Sequence, residues 1–203
     1  TQARTLVPES AYFGVGDPFE AVQAARLSDP KGLIQAIADS GLRGFGGAGF
    51  PTSRKWQAVA DTPGPDKYVL CNADESEPGC FKDRTLLDQA PRAMLAGLAI
   101  AAHAVGARQG IVYLRYEYEP QYRRLLGEIN RLRSEGLFGS DFDVVVRRGG
   151  GLYVCGEETA LLNSLEGKRP IPRDRPPYPT TEGLFGKPTL VQNVETLSAV
   201  PGI

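Results

Sequence analysis

Hydrophobic positions along the chain follow two spacings, and these predict strands separated by helices. Apolar runs of strand length occupy residues 66–74, 110–116 and 141–149. Residues 83–107 and 119–136 separate these runs and carry apolar side chains at helical spacing, with a break expected near Pro91. Strands that alternate with helices favour parallel pairing through right-handed crossovers. The pattern therefore predicts an α/β fold built on a parallel sheet.

Shorter segments complete the predicted organisation. Helices are predicted at residues 18–30, 30–41, 52–61, 156–167 and 191–200. Residues 168–179 are rich in proline and form an arm before the last predicted helix. We divide the chain into an N-terminal lead with short helices, residues 1–32, and one larger domain, residues 33–203.

A polar or glycine-rich segment follows each predicted strand, and this placement predicts a binding site. The segments are residues 72–77, 116–119 and 148–158. Parallel sheets bind ligands outside the carboxyl ends of their strands, where such segments meet. Two glycine-rich approaches to one sheet, at residues 41–49 and 149–156, favour a large ligand over a single phosphate ion.

The first of these approaches, within SGLRGFGGAGFPTSRKW, has five glycines in nine positions. Gly44, Gly46 and Gly49 match G-x-G-x-x-G, but a dinucleotide fingerprint should follow a strand, and the residues before this loop have helical spacing. Glycine N–H groups beside a helix N-terminus still form an anion site, to which Arg43 and Lys55 add positive charge. We favour a phosphate or dinucleotide cradle over an ordinary fingerprint or a turn without a ligand.

Acidic side chains gather at the end of the first predicted strand, in CNADESEPG. Asn72, Asp74, Glu75 and Glu77 lie within this short segment. Neighbouring carboxylates repel one another unless donors bind them, and the hydroxyls of a sugar or ribityl chain are suitable donors. A divalent metal with oxygen ligands and a solvated loop are the alternative interpretations.

A second acidic pair, Glu157 and Glu158, opens a predicted helix after Gly156. Acids in a first helical turn are favoured by the helix dipole alone, so a purely structural role competes with ligand binding at these positions. The sequence by itself leaves both explanations open.

Composition excludes some classes of protein and favours others. A formal net charge of −1 argues against nucleic acid as a partner, and no apolar run is long enough to cross a bilayer, so we expect no membrane insertion. Three cysteines without C-x-x-C spacing favour reduced, buried thiols in the cytoplasm and fall one short of the four that an iron–sulfur cluster usually needs. His103, alone on an apolar helix, is expected to be structural.

Five segments, taken together, carry a resemblance to a known family. They are GLRGFGGAGFPTSRKW, CNADESEPG, YVCGEETALLNSLEGKRPIPR, PPYP and GLFGKPTLVQNVETL. In this order they resemble the NADH-oxidising flavoprotein subunit of respiratory complex I. The same module recurs in the diaphorase subunits of NAD-reducing hydrogenases and NAD-dependent formate dehydrogenases. The similarity covers residues 33–200.

The resemblance implies a noncovalent FMN in a Rossmann-like parallel sheet with helices on both faces, and NADH bound over the flavin. Residues 33–203 would then be the FMN- and NADH-binding domain. The glycine-rich loop would lie along the bound nucleotides, with close backbone approach at Gly44, Gly46 and Gly47. Positions that match flavin contacts are Lys55, Asn72, Asp74 and Glu75. Positions that match the flavin-side wall are Tyr153, Gly156, Glu157, Glu158, Asn193 and Thr196. Positions that match NADH contacts are Phe50, Glu77, Arg175 and Tyr178.

In such a site the flavin carries out the redox step and the protein supplies orientation and electrostatics. The expected step is hydride transfer between the nicotinamide and the flavin, followed by single-electron transfer to iron–sulfur clusters. The resemblance marks Glu158 as a catalytic candidate that biases the flavin potential or discourages an anionic reduced flavin. Phe45, where the family usually has a basic residue, and Gln192, where it usually has Asn, are departures that affect cofactor contacts.

The resemblance also implies a setting for the chain. We expect an oxidoreductase module of a soluble formate dehydrogenase or hydrogenase, cytoplasmic or at the cytoplasmic membrane face. A complex I subunit and a flavin-free assembly scaffold are the alternatives. Iron–sulfur subunits, including a small thioredoxin-like two-iron protein, are the expected partners. The family's β-rich domain and its four-iron cluster domain follow this region and are absent from the chain, so we expect no metal site within it.

Overall fold

The computed structural model describes residues 16–203, and a four-stranded parallel sheet forms its centre. The strands are β1 (Tyr68–Ala73), β2 (Gln109–Leu114), β3 (Asp143–Arg148) and β4 (Thr189–Asn193). Their order is β3–β2–β1–β4, and every neighbouring pair is parallel. The predicted α/β class is therefore confirmed. The first half of the predicted lead, residues 1–15, lies outside the described residues.

Nine helices of the described residues surround this sheet. They are α1 (Pro18–Arg26), α2 (Pro30–Asp39), α3 (Thr52–Asp61), α4 (Lys82–Gln89), α5 (Pro91–Val105), α6 (Glu119–Ser134), α7 (Glu158–Leu165), α8 (Pro179–Glu182) and α9 (Val194–Ala199). Short 3-10 turns occupy Tyr153–Gly156, Leu184–Gly186 and Val200–Gly202. The break expected near Pro91 is confirmed, because α5 starts at this residue, where a missing backbone N–H costs nothing.

The prediction of a last helix over residues 191–200 is wrong in its first part. Residues Thr189–Asn193 form β4, in which Thr189 lies opposite Tyr68 and Asn193 opposite Asn72 of β1. The helix begins only at Val194, because the side chain of Asn193 accepts a hydrogen bond from the backbone N–H of Glu195 and caps it. A five-residue strand followed directly by a capped helix is too short for periodicity to separate the two.

Helices cover both faces of the sheet. Helices α5 and α6 connect β1 to β2 and β2 to β3, and they pack on one face through a large apolar cluster that includes Met94 and Leu125. The chain then returns from β3 to β4 across the other face, where α7 packs through Leu161 against Leu70 and Tyr113 of the sheet. Right-handed crossovers require opposite faces for opposite directions of travel, so this arrangement follows from the strand order.

Helices α5 and α9 approach one another almost backbone to backbone. A Cβ atom built on Gly97 of α5 would lie 1.9 Å from the carbonyl oxygen of Leu197 in α9, so no larger residue fits there without movement. This contact holds α9 at the carboxyl end of the sheet. Thr196 of α9 bonds to the backbone of the glycine-rich loop, and the close packing therefore contributes to the position of that loop.

Candidate functional site

A cleft of about 650 Å³ opens at the carboxyl end of β4. The glycine-rich loop, α3, the end of β4, the start of α7 and the proline-rich arm form its walls. Residues predicted from the sequence that line it are Gly44, Gly46, Phe50, Lys55, Asn72, Gly156, Glu157, Glu158, Arg175, Tyr178 and Asn193. The predicted meeting of two glycine-rich approaches at one sheet edge is thus observed.

The glycine-rich loop follows helix α2, as its spacing predicted, and its backbone is fixed at several points. The N–H of Gly44 donates to the carbonyl of Phe50 at 2.9 Å, and the guanidinium of Arg43 donates to the carbonyl of Gly49 at 2.9 Å. The N–H of Phe45 donates to Oγ1 of Thr196 at 2.9 Å. Thr196 is buried and lies outside the cleft lining, so its observed contact is with the loop itself.

Gly46 brings the loop against the end of β4. A Cβ atom on Gly46 would lie 3.4 Å from Cβ of Asn193, at the close end of ordinary van der Waals contact. Gly47 is exposed and lies outside the cleft lining. Its backbone has φ 121°, a conformation that residues with a Cβ atom rarely adopt. The loop therefore presents backbone rather than side chains to the space between α3 and β4.

Opposite charges meet within the cleft. The ammonium of Lys55 lies 2.7 Å from Oε2 of Glu158 and donates to the carbonyl of Val191 at 3.0 Å. The guanidinium of Arg175, on the proline-rich arm, pairs with Glu157 and lies 3.4 Å from Oε1 of Glu158. Two cations and two carboxylates thus tie the arm, α3 and α7 together around the cleft.

Glu157 has a structural task beside its position in the cleft. Its Oε2 accepts hydrogen bonds from the backbone N–H groups of Thr159 at 2.8 Å and Ala160 at 2.9 Å, and so caps α7. Partial burial opposes ionisation, but these bonds and the charge of Arg175 outweigh it and lower the pKa of Glu157. The purely structural explanation considered for this residue therefore has direct support.

The end of β1 is bonded to the turn that follows β3. The side-chain amide of Asn72 donates to the carbonyl of Gly156 at 2.8 Å, and its Oδ1 accepts from the N–H of Asp74 at 3.1 Å. A Cβ on Gly156 would lie 3.5 Å from the carbonyl oxygen of Asp74. Asp74 is buried beside the cleft and does not line it, and burial raises the pKa of its carboxyl.

Glu75 is turned away from the cleft. Its carboxylate accepts hydrogen bonds from the N–H groups of Asp83 at 2.9 Å and Arg84 at 3.0 Å at the start of α4, and from the hydroxyl of Tyr118 at 2.9 Å. Burial opposes ionisation, but these bonds outweigh it and lower the pKa of Glu75. A contact between its carboxylate and a cofactor stays a prediction.

Two further predicted residues bond to one another outside the cleft lining. The hydroxyl of Tyr153 donates to a carboxylate oxygen of Glu77 at 2.5 Å, and this bond raises the pKa of Tyr153. Both side chains are exposed and neither lines the cleft. Phe50 and Tyr178, by contrast, line the cleft with half of their surface exposed, and so offer aromatic faces at its mouth.

Sequence reasoning missed several residues of the cleft. Arg54 and Ala58 line it, and their separation of four residues, which places both on one face of α3, is the signal that could have found them. Gln192 also lines it, is only 6% exposed, and has no hydrogen-bond partner for its Nε2 among the described residues. The sequence marked Gln192 as a departure from a family pattern, but not as an unsatisfied donor.

The structure also shows where the three cysteines lie and whether side chains are grouped to hold a divalent metal. Cys71 and Cys155 are buried in the core as predicted, whereas Cys80 is half-buried and its thiol lies 3.2 Å from Oε1 of Glu75. Residues 16–203 contain no group of three or more His, Cys, Asp or Glu side chains placed to hold a metal ion. Nor do these residues include a helix long and apolar enough to cross a membrane.

Fold and cleft together define an α/β domain that binds a nucleotide-type ligand at the carboxyl ends of parallel strands. Residues 37–202 match the model of one family, described as the Nuo51 FMN-binding domain. The chain belongs to this family, and the resemblance found from its sequence motifs is confirmed.

Individual relatives come from two kinds of enzyme. The chain is 46% identical to an NADH-quinone oxidoreductase subunit of Aquifex aeolicus over 192 residues, which cover 91% of this chain and 45% of that protein. It is 50% identical to the alpha subunit of the NAD-reducing hydrogenase HoxS of Cupriavidus necator over 185 residues, which cover 87% of this chain and 31% of that protein. The chain therefore spans less than half the length of these relatives.

A solved structure shows the same fold. The crystal structure of an NAD+-reducing NiFe hydrogenase in the H2-reduced state superposes with a TM-score of 0.89 at 44% sequence identity. The matched region covers 96% of this chain and 34% of that chain.

Proposed function

We propose that the chain is the FMN-binding module of an NADH/NAD+ oxidoreductase. The observation that carries this proposal is the cleft itself, in which the glycine-rich loop, the Lys55–Glu158 pair and the amides of Asn72 and Asn193 converge. These are the groups expected around a large ligand that has a phosphate, hydroxyls and a polar ring edge. Membership of an FMN-binding family supports the same conclusion.

The residues present fit a flavin mononucleotide. The buried and unpartnered Nε2 of Gln192 needs an acceptor at the cleft wall, and the ring edge of a flavin carries several. Gly46 leaves room where a larger side chain would extend into the space beside Asn193. When bound, the flavin supplies the redox chemistry, exchanging a hydride with nicotinamide and single electrons with iron–sulfur clusters.

The side chains of this chain bind and orient the reactants. Lys55 supplies positive charge next to the glycine loop, and Asn72 and Gly156 join two strand ends beneath the cofactor position. Phe50 and Tyr178 present exposed aromatic faces suited to stacking on the adenine of NADH. Arg175 on the arm adds a guanidinium for the dinucleotide phosphates. Glu77, which is exposed and bonded to Tyr153, offers a carboxylate to which a ribose hydroxyl can bond.

Glu158 acts through its charge in this proposal. Its two oxygens face Lys55 and Arg175, so the carboxylate is part of a group of paired charges beside the cleft. Such a group biases the potential of a nearby flavin through its field. The reaction needs no protein acid or base for hydride transfer, so orientation and electrostatics account for the role of these residues.

We further propose that the parent protein is a soluble NAD-linked hydrogenase or formate dehydrogenase in the cytoplasm. The similarity to an NAD-reducing hydrogenase subunit supports this choice, and the equally clear similarity to NADH-quinone oxidoreductase subunits supports the alternative of complex I. Both kinds of relative are named as subunits, which agrees with partner subunits that carry iron–sulfur clusters. A small thioredoxin-like two-iron protein and a four-iron domain beyond this module complete the proposed assembly.

Flavin extraction tests the proposed function directly. The intact protein is expected to be yellow, to release FMN on denaturation, and to reduce ferricyanide with NADH without any organic substrate. Gly46→Val is expected to lose FMN, whereas Gly127→Ala, at an exposed site with nothing within 4 Å of the new Cβ, is expected to retain it. A folded but colourless wild-type protein would show that the module is a scaffold without flavin.

A further inference from the structure

An ion pair with a buried carboxylate lies directly behind the cleft wall. The ammonium of Lys82 is 2.5 Å from Oδ1 of Asp83, whose side chain is only 5% exposed, and 3.2 Å from Oε2 of Glu195. The side chain of Lys82 is 37% exposed, so only the carboxylate of Asp83 is taken out of water, at a cost in free energy that an ion pair often fails to recover. Its presence beside a binding cleft calls for another explanation.

The side chain of Asn193 connects this pair to the cleft. Its Nδ2 donates to Oδ2 of Asp83 at 2.7 Å. Its Oδ1 accepts from the ammonium of Lys82 at 2.9 Å and from the backbone N–H of Glu195 at 3.0 Å. Asn193 itself lines the cleft. The ion pair therefore contacts, through one amide, the place where the proposed ligand binds.

These contacts allow only one orientation of the Asn193 amide. If oxygen and nitrogen were exchanged, the oxygen would face the carboxylate of Asp83 and the NH2 group would face the ammonium of Lys82. An amide oxygen has two lone pairs and an amide nitrogen has two N–H bonds. Both lone pairs are used within the protein, and a single N–H is left over. Asn193 can consequently offer a ligand a donor and no acceptor.

In the part of the chain that the structure describes, Gln192, the residue before Asn193, also has a side-chain amide with a free N–H donor. Gln192 lines the cleft and its Nε2 is buried without a partner among residues 16–203. Both residues line the cleft at the end of β4, and the positive charge of Lys82 stands behind the Asn193 amide. A wall of this kind fits the acceptor atoms of a ligand and disfavours its donors.

We propose that Lys82 and Asp83 are positioning residues that hold the Asn193 amide as a donor toward the bound cofactor and set the charge behind it. This inference rests on the proposed function, because the cofactor in question is the flavin. Donors and positive charge favour the electron-rich reduced form of a flavin over the oxidised form. The pair thereby tunes the flavin potential from behind the wall, without contact to the flavin itself.

Removing the negative charge and removing the positive charge should shift the flavin potential in opposite directions. This result would distinguish tuning of the potential from a purely structural role. Asp83→Asn keeps an acceptor for Asn193 but removes a negative charge, so the midpoint potential of the flavin is expected to rise. Lys82→Met removes the positive charge and leaves Asp83, so the potential is expected to fall. A purely structural role gives no reason for shifts of opposite sign.

The experiment is a redox titration of the flavin in the intact protein, together with its flavin content. Lys31→Met and Asp141→Asn, both at exposed positions remote from the cleft lining, are the matched controls and should keep the wild-type potential. Should Asp83→Asn fail to fold, a lower potential in Lys82→Met than in Lys31→Met decides the question alone. Potentials equal to wild type, or shifted in the same direction in both variants, overturn the inference. A wild-type protein without flavin would refute the proposed function instead.

Discussion

Replacing Glu75 with Gln tests whether this carboxylate holds the fold together at the carboxyl end of β1. It accepts hydrogen bonds from two backbone N–H groups at the start of α4 and from the hydroxyl of Tyr118, and it is only 6% exposed. It therefore connects three segments: the loop after β1, helix α4 and the residue before α6. Gln keeps the size of the side chain but replaces one accepting oxygen with an NH2 group that faces donors.

The magnitude follows from these contacts. Hydrogen bonds to a charged group contribute about 1.5–3 kcal/mol each, and the loss of a helix cap costs about 0.5–2 kcal/mol. Because Gln retains one acceptor, we expect Glu75→Gln to lower the free energy of unfolding by about 2–4 kcal/mol. Urea denaturation of the intact protein measures this quantity. Glu182→Gln, at an exposed position whose side chain has no hydrogen-bond partner among the described residues, should change it by less than about 0.5 kcal/mol.

The pH dependence gives a second check on the same residue. The folded protein lowers the pKa of Glu75 from its ordinary value of 4.5, so the unfolded state binds the proton more tightly. The stabilisation is then fully present above pH 4.5 and is lost as the pH falls through the lower pKa of the folded state. The difference between wild type and Glu75→Gln should shrink accordingly in acid. A variant as stable as wild type, or a difference that is the same at every pH, would refute this account.

Three further predictions concern packing and the cleft. Gly97→Ala should lower the free energy of unfolding by about 3 kcal/mol in urea denaturation, since its Cβ would meet the Leu197 carbonyl at 1.9 Å, whereas Gly127→Ala should not destabilise. Arg175→Ala should raise the KM for NADH severalfold in ferricyanide assays while stability changes by less than about 1 kcal/mol; an unchanged KM contradicts its proposed role. Glu158→Gln should shift the flavin potential in a redox titration, and an unchanged potential with unchanged NADH turnover counts against its electrostatic role.

The sequence pattern was sufficient for most of the sheet. The apolar runs that became β1, β2 and β3 are flanked by polar or glycine-rich residues, so the ends of these strands could be predicted to within two residues. Strand β4 could not be predicted from this pattern. It has only five residues and passes into α9 at Asn193, where a side-chain cap rather than a change of composition marks the boundary. A helix cap depends on side-chain geometry, and the spacing of hydrophobic residues carries no information about it.

The sequence predicted those parts of the cleft that are formed by glycine-rich backbone. Clusters of glycine at the ends of strands predicted that the loops around Gly46 and Gly156 would meet, and both line the cleft. The direction of individual side chains was not predictable. Glu75 belongs to the same acidic segment as Asn72, yet one side chain caps α4 and the other faces the cleft. Residues of one short segment differ in this way because long-range partners, here Tyr118 and α4, select the rotamer of Glu75.

The position of the charged residues behind the cleft wall could not be predicted from the sequence either. Asp83 follows Lys82 near the start of α4, where acids are common for reasons of helix dipole alone. Only the fold brings them to Asn193, which is 110 residues away from Asp83 along the chain. No local pattern reports a contact of that separation.

An electron-density map of the intact protein, as purified, tests the central claim most directly. The account predicts a flavin mononucleotide in the cleft, with the glycine-rich loop around Gly46 on one side and the Gln192–Asn193 wall on the other, and with the Gln192 amide bonded to a flavin acceptor. A map that shows the flavin elsewhere on the chain, or a fully ordered cleft that contains only water, would contradict it.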